Sequence, residues 1–151
     1  RGQVIDNWLY EYQPRKGDVV FDIGAGIGEE AVVLDHMGCQ VVSIEAHPRT
    51  YRCLVKTIAA SGLKNVRALQ CAVMDRDGEI TIADTDDHLA NGIGVGVGSG
   101  GGVTVPARSR SSIVYPSKRY VPLRVGSLPT AAPVVCVVTS TCTSPSLRSR
   151  M

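Results

Sequence analysis

The stretch FDIGAGIGEEA, Phe21 to Ala31, sets glycines at positions 24, 26 and 28 between an apolar run and the acid pair Glu29 and Glu30. Glycine adopts backbone conformations closed to other residues and lets a ligand come close to the main chain. A turn built this way between a strand and a helix is therefore a place for a cofactor. Upstream, VVFDIG is a continuous apolar run of the kind that forms a parallel strand buried on both faces. Downstream, GEEAVVLDHM predicts a helix, stopped by Gly38 where helices take a left-handed cap. QVVSIEA is a second buried strand, and PRTYRCLVKTIAASG a second helix with Pro48 at its start and Gly62 past its end. NVRALQCAV supplies a third strand. Strand, helix, strand, helix, strand is the unit of a doubly wound α/β sheet with right-handed crossovers.

On either side the pattern extends a little further. Val4, Ile5, Trp8, Leu9 and Tyr12 recur at helical spacing, predicting a short amphipathic helix ended by Pro14 and the turn RKGD. MDRDGEITIAD predicts a turn at Asp77-Gly78 and a fourth strand from Glu79, antiparallel and at an edge.

At 151 residues and 44% hydrophobic, the chain suffices for one ordinary domain with a buried core. Its net charge of +2 conceals a split: all 14 acids lie between Asp6 and Asp87. The first 87 residues hold 9 basic side chains against those 14 acids, a balance of −5, and the last 64 hold 7 basic and no acidic ones, +7. Such asymmetry does not belong to one evenly built domain. Five cysteines, Cys39, Cys53, Cys71, Cys136 and Cys142, form no C-x-x-C pair, and the histidines lack ligand spacing. That speaks against zinc or a disulfide framework and for reduced cysteines buried as small hydrophobes. No metal is expected. The chain starts at Arg1 and shows no charged-then-apolar leader, and the run VVCVV is far shorter than the ~20 residues of a membrane helix. The expectation is a cytoplasmic fragment with no membrane partner.

From Gly92 the composition changes: GIGVGVGSGGG holds 7 of the 16 glycines. Beyond it Ser, Pro, Arg, Thr and Val dominate, and no Asp, Glu, Asn, Gln, Phe or Trp occurs from Gly92 to the end. VTVPA and PVVCVV read as short strands, while six prolines from Pro106 to Pro145 interrupt longer elements. The expectation is thus a Rossmann-like half-domain over residues 1–91, its sheet incomplete, and a Gly-rich loop with a weakly ordered basic tail over 92–151.

The charge at the turn selects its ligand. A dinucleotide site needs G-x-G-x-x-G, with a pyrophosphate at the helix N-terminus. Here the place of its third glycine is taken by Glu29, with Glu30 behind it. Two carboxylates suit the helix dipole but repel a phosphate. S-adenosylmethionine is a nucleoside joined to an amino acid, carries no phosphate and bears a positive sulfonium. It fits such a turn.

The pattern Asp22-x-Gly24-x-Gly26-x-Gly28 at a strand end resembles the first motif of class I S-adenosylmethionine-dependent methyltransferases. The resemblance implies that the turn, Gly24, Ala25, Gly26 and Gly28, passes beside the methionine part of the cofactor and that Asp22 helps hold its amino end. Glu45, at the end of the second strand, matches the acid that accepts hydrogen bonds from both ribose hydroxyls, and Ala46 and Ala72 match positions lining the adenine pocket. KGDVVFDIGAGIGEEAVVL, VVSIEAHPRTYRCLVKTI and GLKNVRALQCAVMDRDGEITI together look like the FkbM-type family over about residues 4–109, ending in VTVPARS. That family implies O-methylation of a hydroxyl on a sugar or natural product, so that the expected partner is a small-molecule hydroxyl acceptor. After VPAR the family continues with a Leu-Asp pair and a strand ending Lys-x-Asp-x-Glu-Gly. This chain instead has SRSSIVYPSKRY, and no acid remains to supply that motif. Translation out of frame beyond the match would produce such a change. A catalytically inactive remnant and a nicotinamide oxidoreductase stay open as alternatives.

Three histidines could act as general bases near neutral pH. His36 reads as a surface residue of the first helix, His47 as a turn residue beside the ribose acid or an edge of the adenine pocket, and His88 as part of a polar loop over the site. None is assigned a catalytic role. RSRSS, SKRY and LRSR carry spaced cations, but only Tyr115 and Tyr120 offer stacking and no nucleic-acid recognition motif accompanies them. A solvated basic tail is the expectation. No G-x-S-x-G turn supports hydrolase chemistry.

Overall fold

The computed structural model describes residues 13–85, 101–109 and 111–113, together with the backbone of 134–138. The helix expected over Val4–Tyr12, His88, the glycine run through Gly100 and the rest of the tail lie outside the described residues. The elements in chain order are β1 (Val19–Ile23), α1 (Glu29–His36), β2 (Gln40–Glu45), α2 (Pro48–Ala60), β3 (Val66–Gln70), β4 (Ala72–Met74), β5 (Gly78–Ala83), β6 (Gly102–Ser109) and β7 (Val134–Val138).

Strands β3, β2, β1 and β7 form one parallel sheet in that spatial order. Burial explains the uninterrupted apolar runs: Val19, Val20, Val41, Val42 and Ile44 are all within 2% of full burial, each contributing about 1.5 to 3 kcal/mol relative to exposure. Alternation along the strands sorts these side chains. Val19, Phe21, Val42 and Ile44 pack with Cys71 and Ile113 on one face, while Val20 and Val41 pack with Leu34 of α1 and Cys39 on the other. Two consecutive right-handed crossovers carry α1 and α2 to that second face.

Both helices end in the same way. Gly38 and Gly62 take positive φ, 80° and 63°. Their N–H groups donate to Asp35 and Ala59 carbonyls, and the following Cys39 and Leu63 reach back to Leu34 and Ile58 at 3.1 Å. These are Schellman caps, which satisfy the last carbonyls and turn the chain into the next strand. The RKGD turn is present as read, with Arg15 N–H donating to Asp18 Oδ2 at 2.7 Å.

The third expected strand divides. At the buried Cys71 the chain leaves the parallel sheet, and β4 joins a second sheet of order β4-β6-β5. There β6 pairs parallel with β4 and antiparallel with β5, which is an edge strand as expected. Ala72, Ile82 and Val105 form its core. Two stretches beyond Gly92, both read as short strands, are strands: VTVPA lies within β6, and VVCVV is β7, aligned with β1 from Val19↔Val134 to Ile23↔Val138.

Cys39 and Cys71 are buried free thiols, pushed up in pKa chiefly by burial, whereas Cys53 is exposed on the outer side of α2. Among the described residues no helix is long and apolar enough to cross a membrane.

Candidate functional site

The carboxyl ends of β1 and β2 carry the polar groups. Side chains alternate along a strand, so Asp22 follows Val20 on the helix-covered face, and Ser43 and Glu45 follow Val41 there. In the β1–β2 register Asp22 stands opposite Ser43. Both are fully buried, and the Ser43 hydroxyl donates to Asp22 Oδ2 at 3.2 Å. The Asp22 carboxyl is thus shielded from solvent and accepts from the neighbouring strand.

The turn is pinned to β2 by its main chain. Gly24 N–H and Ala25 N–H both donate to the Ile44 carbonyl, at 2.8 and 3.0 Å. Gly24, Gly26 and Gly28 all have positive φ, 78°, 55° and 96°. Gly28 has a second reason to be glycine, because a Cβ there would lie 2.8 Å from Leu54 Cδ1 of α2. As N-cap of α1 it lets the two helices approach where a side chain would hold them apart.

Glu45 closes this arrangement. Oε2 accepts from Gly26 N–H at 3.0 Å and Oε1 from His47 N–H at 2.8 Å. These two bonds use two of the about four acceptor sites of an ionised carboxylate, and the Ala46 N–H acts on it as a third donor. Burial raises the pKa of Glu45 from its ordinary value, while the His47 and Gly26 N–H groups, the His47 ring and the Ala46 N–H oppose the rise. At the start of α1, Glu29 is exposed and Glu30 half-buried. The Glu30 carboxyl is also raised, first by burial and last by the charge of Glu29, with its own backbone N–H pulling the other way.

The two alanines expected near the adenine come together: Ala46 packs on the cluster that contains Ala72. Ala25 is buried. His36 is exposed, with Nδ1 2.7 Å from the Val32 carbonyl, as its surface reading implies. His47 is more deeply placed than a turn histidine, 3% exposed, with Nε2 3.1 Å from Asp84 Oδ1. Arg49 donates to the same oxygen. Neither Asp84 nor Ser43 was singled out from the sequence. For Ser43 a signal exists, a hydroxyl in the otherwise apolar VVSIE opposite a strand-end acid; for Asp84 there is none, because its partners are set by how the two sheets meet. No group of three or more His, Cys, Asp or Glu side chains among the described residues could hold a metal ion.

Over 56 residues the chain is 36% identical to the protein-L-isoaspartate O-methyltransferase of Methanospirillum hungatei, which is 37% of this chain and 26% of that enzyme. The chain therefore spans about a quarter of the length of that relative. Similar solved structures include the C-terminal domain of precorrin-6Y C5,15-methyltransferase from Rhodobacter capsulatus (TM-score 0.42, 28% identity, 48% of this chain and 42% of that one). Another is a SAM-dependent methyltransferase from Aquifex aeolicus (TM-score 0.42, 24% identity, 48% and 40%). No family model matches the chain. The parallel order β3-β2-β1-β7, with its glycine turn after β1, is a partial Rossmann-like sheet of the type on which class I methyltransferases are built.

Proposed function

We propose that this chain carries the cofactor half of an S-adenosylmethionine-dependent methyltransferase of FkbM type, acting on a hydroxyl oxygen of a sugar or natural product. The observation that carries the reading is the Glu45 carboxylate, fixed by one N–H from the glycine turn and one from its own turn, with acceptor capacity left over. Two acceptors side by side suit the paired hydroxyls of a ribose. The positive-φ glycines leave the main chain of the turn open to the amino-acid part, whose ammonium end Asp22 would help hold. Ala46 and Ala72, small side chains that pack together, would border the base. Glu29 and Glu30 favour a ligand without phosphates and oppose a dinucleotide.

When bound, S-adenosylmethionine supplies an electrophilic methyl group on its sulfonium. The residues described here bind and orient it, and alignment of that methyl with an acceptor oxygen is the main source of acceleration in such a displacement. A second reading, a remnant that binds the cofactor without transferring its methyl, is favoured by the absence of Asp and Glu from residue 88 onward.

Calorimetric titration with S-adenosylhomocysteine and, separately, NAD tests the reading. Binding of the first and not the second is expected, and Glu45→Ala should weaken it by about 1 to 3 kcal/mol. NAD binding more tightly would favour an oxidoreductase and overturn the proposal. Binding without methyl transfer to any hydroxyl acceptor would favour the remnant.

A further inference from the structure

His47 serves two partners through different atoms. Its main-chain N–H donates to Glu45 Oε1 at 2.8 Å, and its ring Nε2 lies 3.1 Å from Asp84 Oδ1, just beyond the end of β5. A carboxylate only accepts, so Nε2 carries the proton of this bond. The ring does not cap α2, although His47 occupies the N-cap position with an extended backbone, φ −74° and ψ 123°. Nδ1 is buried and has no hydrogen-bond partner among the described residues. Burial and the bond to Asp84 thus fix the ring, which is joined through Cβ to the residue whose main-chain N–H holds Glu45. Arg49, donating to the same Asp84 oxygen, steadies the acceptor. Asp84 N–H in turn lies 3.4 Å from the carbonyl of Gly101, which leads into β6.

We propose that His47 and Asp84 are positioning residues for the ribose-binding carboxylate: the second sheet, through Asp84, holds the turn after β2 so that the His47 N–H stays on Glu45 Oε1. The inference rests on the reading of Glu45 as the ribose acid. Rotation of the His47 peptide would remove the donor from Oε1 and let the carboxylate turn away from the paired hydroxyls. The second sheet then contributes to cofactor affinity without touching the cofactor.

The experiment uses the full chain and two ligands, S-adenosylhomocysteine and its 2′,3′-dideoxy analogue, which lacks both hydroxyls. Asp84→Ala should weaken binding of the first between roughly threefold and tenfold, the range expected for one hydrogen bond, and leave the second unchanged. In a Glu45→Ala background Asp84→Ala should add nothing further. His47→Gln, which offers a side-chain N–H in place of Nε2, should bind between wild type and Asp84→Ala. Should Asp84→Ala fail to fold, His47→Gln is read by itself: a loss for S-adenosylhomocysteine with none for the dideoxy analogue is expected, and equal losses or none would overturn the proposal. Equal losses for both ligands would show a general structural role and overturn the proposal, as would no loss for either. If Glu45→Ala itself leaves S-adenosylhomocysteine affinity intact, the ribose assignment fails first, and that result is distinct from an inert Asp84→Ala alongside a damaging Glu45→Ala.

Discussion

The two sheets are built on different terms. In the parallel sheet, strands β1 and β2 are buried on both faces, with no room for solvated side chains except where the strands end. In the second sheet, β6 alternates between buried and exposed positions, and Thr81 and Thr104 meet across its exposed side at 3.3 Å. Fully covered strands locate side chains within tight limits, which is why a carboxylate at their end is held in one orientation. A sheet with one wet face tolerates more, and its contribution comes through a contact at its margin, Asp84 on His47. Precision sits in the first sheet and leverage in the second.

That contrast breaks most readily in the cores. Ile44→Ala should cost about 4 kcal/mol, near the upper part of the range for such truncations, since Ile44 is 1% exposed among side chains of three strands. Ile82→Ala should cost about 2 to 3 kcal/mol, because its cluster is smaller, with only Ala72 and Val105 as buried companions among the described residues. Urea denaturation of both variants decides the matter, and equal losses would remove the distinction between the sheets.

Within the first sheet the glycines sharpen the same point. Gly28→Ala combines a left-handed backbone, φ 96°, with a Cβ 2.8 Å from Leu54. Strain and overpacking together should cost about 2 to 4 kcal/mol. Gly26→Ala meets nothing closer than the Gly24 carbonyl at 4.0 Å, and only the backbone strain of about 1 to 2 kcal/mol remains. A melting temperature for Gly26→Ala no higher than that of Gly28→Ala would contradict the close helix approach.

The smallest effect is one of pH, and it separates a carboxyl group from each sheet. Burial raises Glu45 above the ordinary 4.5, while the hydrogen bond from Arg49 leads in lowering Asp84 below 3.8. The signs follow by linkage. Asp84 adds stability that is complete above its ordinary value and is lost as pH falls through the lowered one. Glu45 acts oppositely: raising the pH from 4.5 through its elevated value ionises a buried group and subtracts from stability. A ribose diol donates to the ionised form, so S-adenosylhomocysteine affinity should rise with pH across that same interval and then level off. Calorimetry from pH 4.5 to 7, with Glu45→Gln as a variant lacking the titration, measures this. A flat wild-type profile would count against ionised Glu45 as the ribose acceptor.

The parallel sheet was legible because its physics is local. Apolar runs of strand length, Pro48 at a helix start and glycines past both helix ends each fix a short stretch of backbone without reference to the rest. The place of Glu45 was legible for the same reason, at the point where a strand meets a turn. Asp84 was not legible, since an acid after an edge strand acquires meaning only through partners on the other sheet, whereas the hydroxyl of Ser43 in VVSIE carried a signal that gains its meaning from Asp22 on the adjacent strand. The break at Cys71 was hidden too: NVRALQCAV has one uninterrupted β pattern, and nothing in it marks where hydrogen bonding changes from β2 to β6. His47 lay between the two cases, its place beside Glu45 evident and its burial not.

The pairing of β7 with β1 bears on how the protein is made. The strand that delivers the glycine turn has its other flank filled by a segment synthesised long after it. Until Val134–Val138 emerges from the ribosome, β1 presents a row of unmet N–H and C=O groups along that flank, an invitation to pair with a neighbouring chain. A shortened product ending before Val134 would keep every glycine and Glu45 and still carry that adhesive margin.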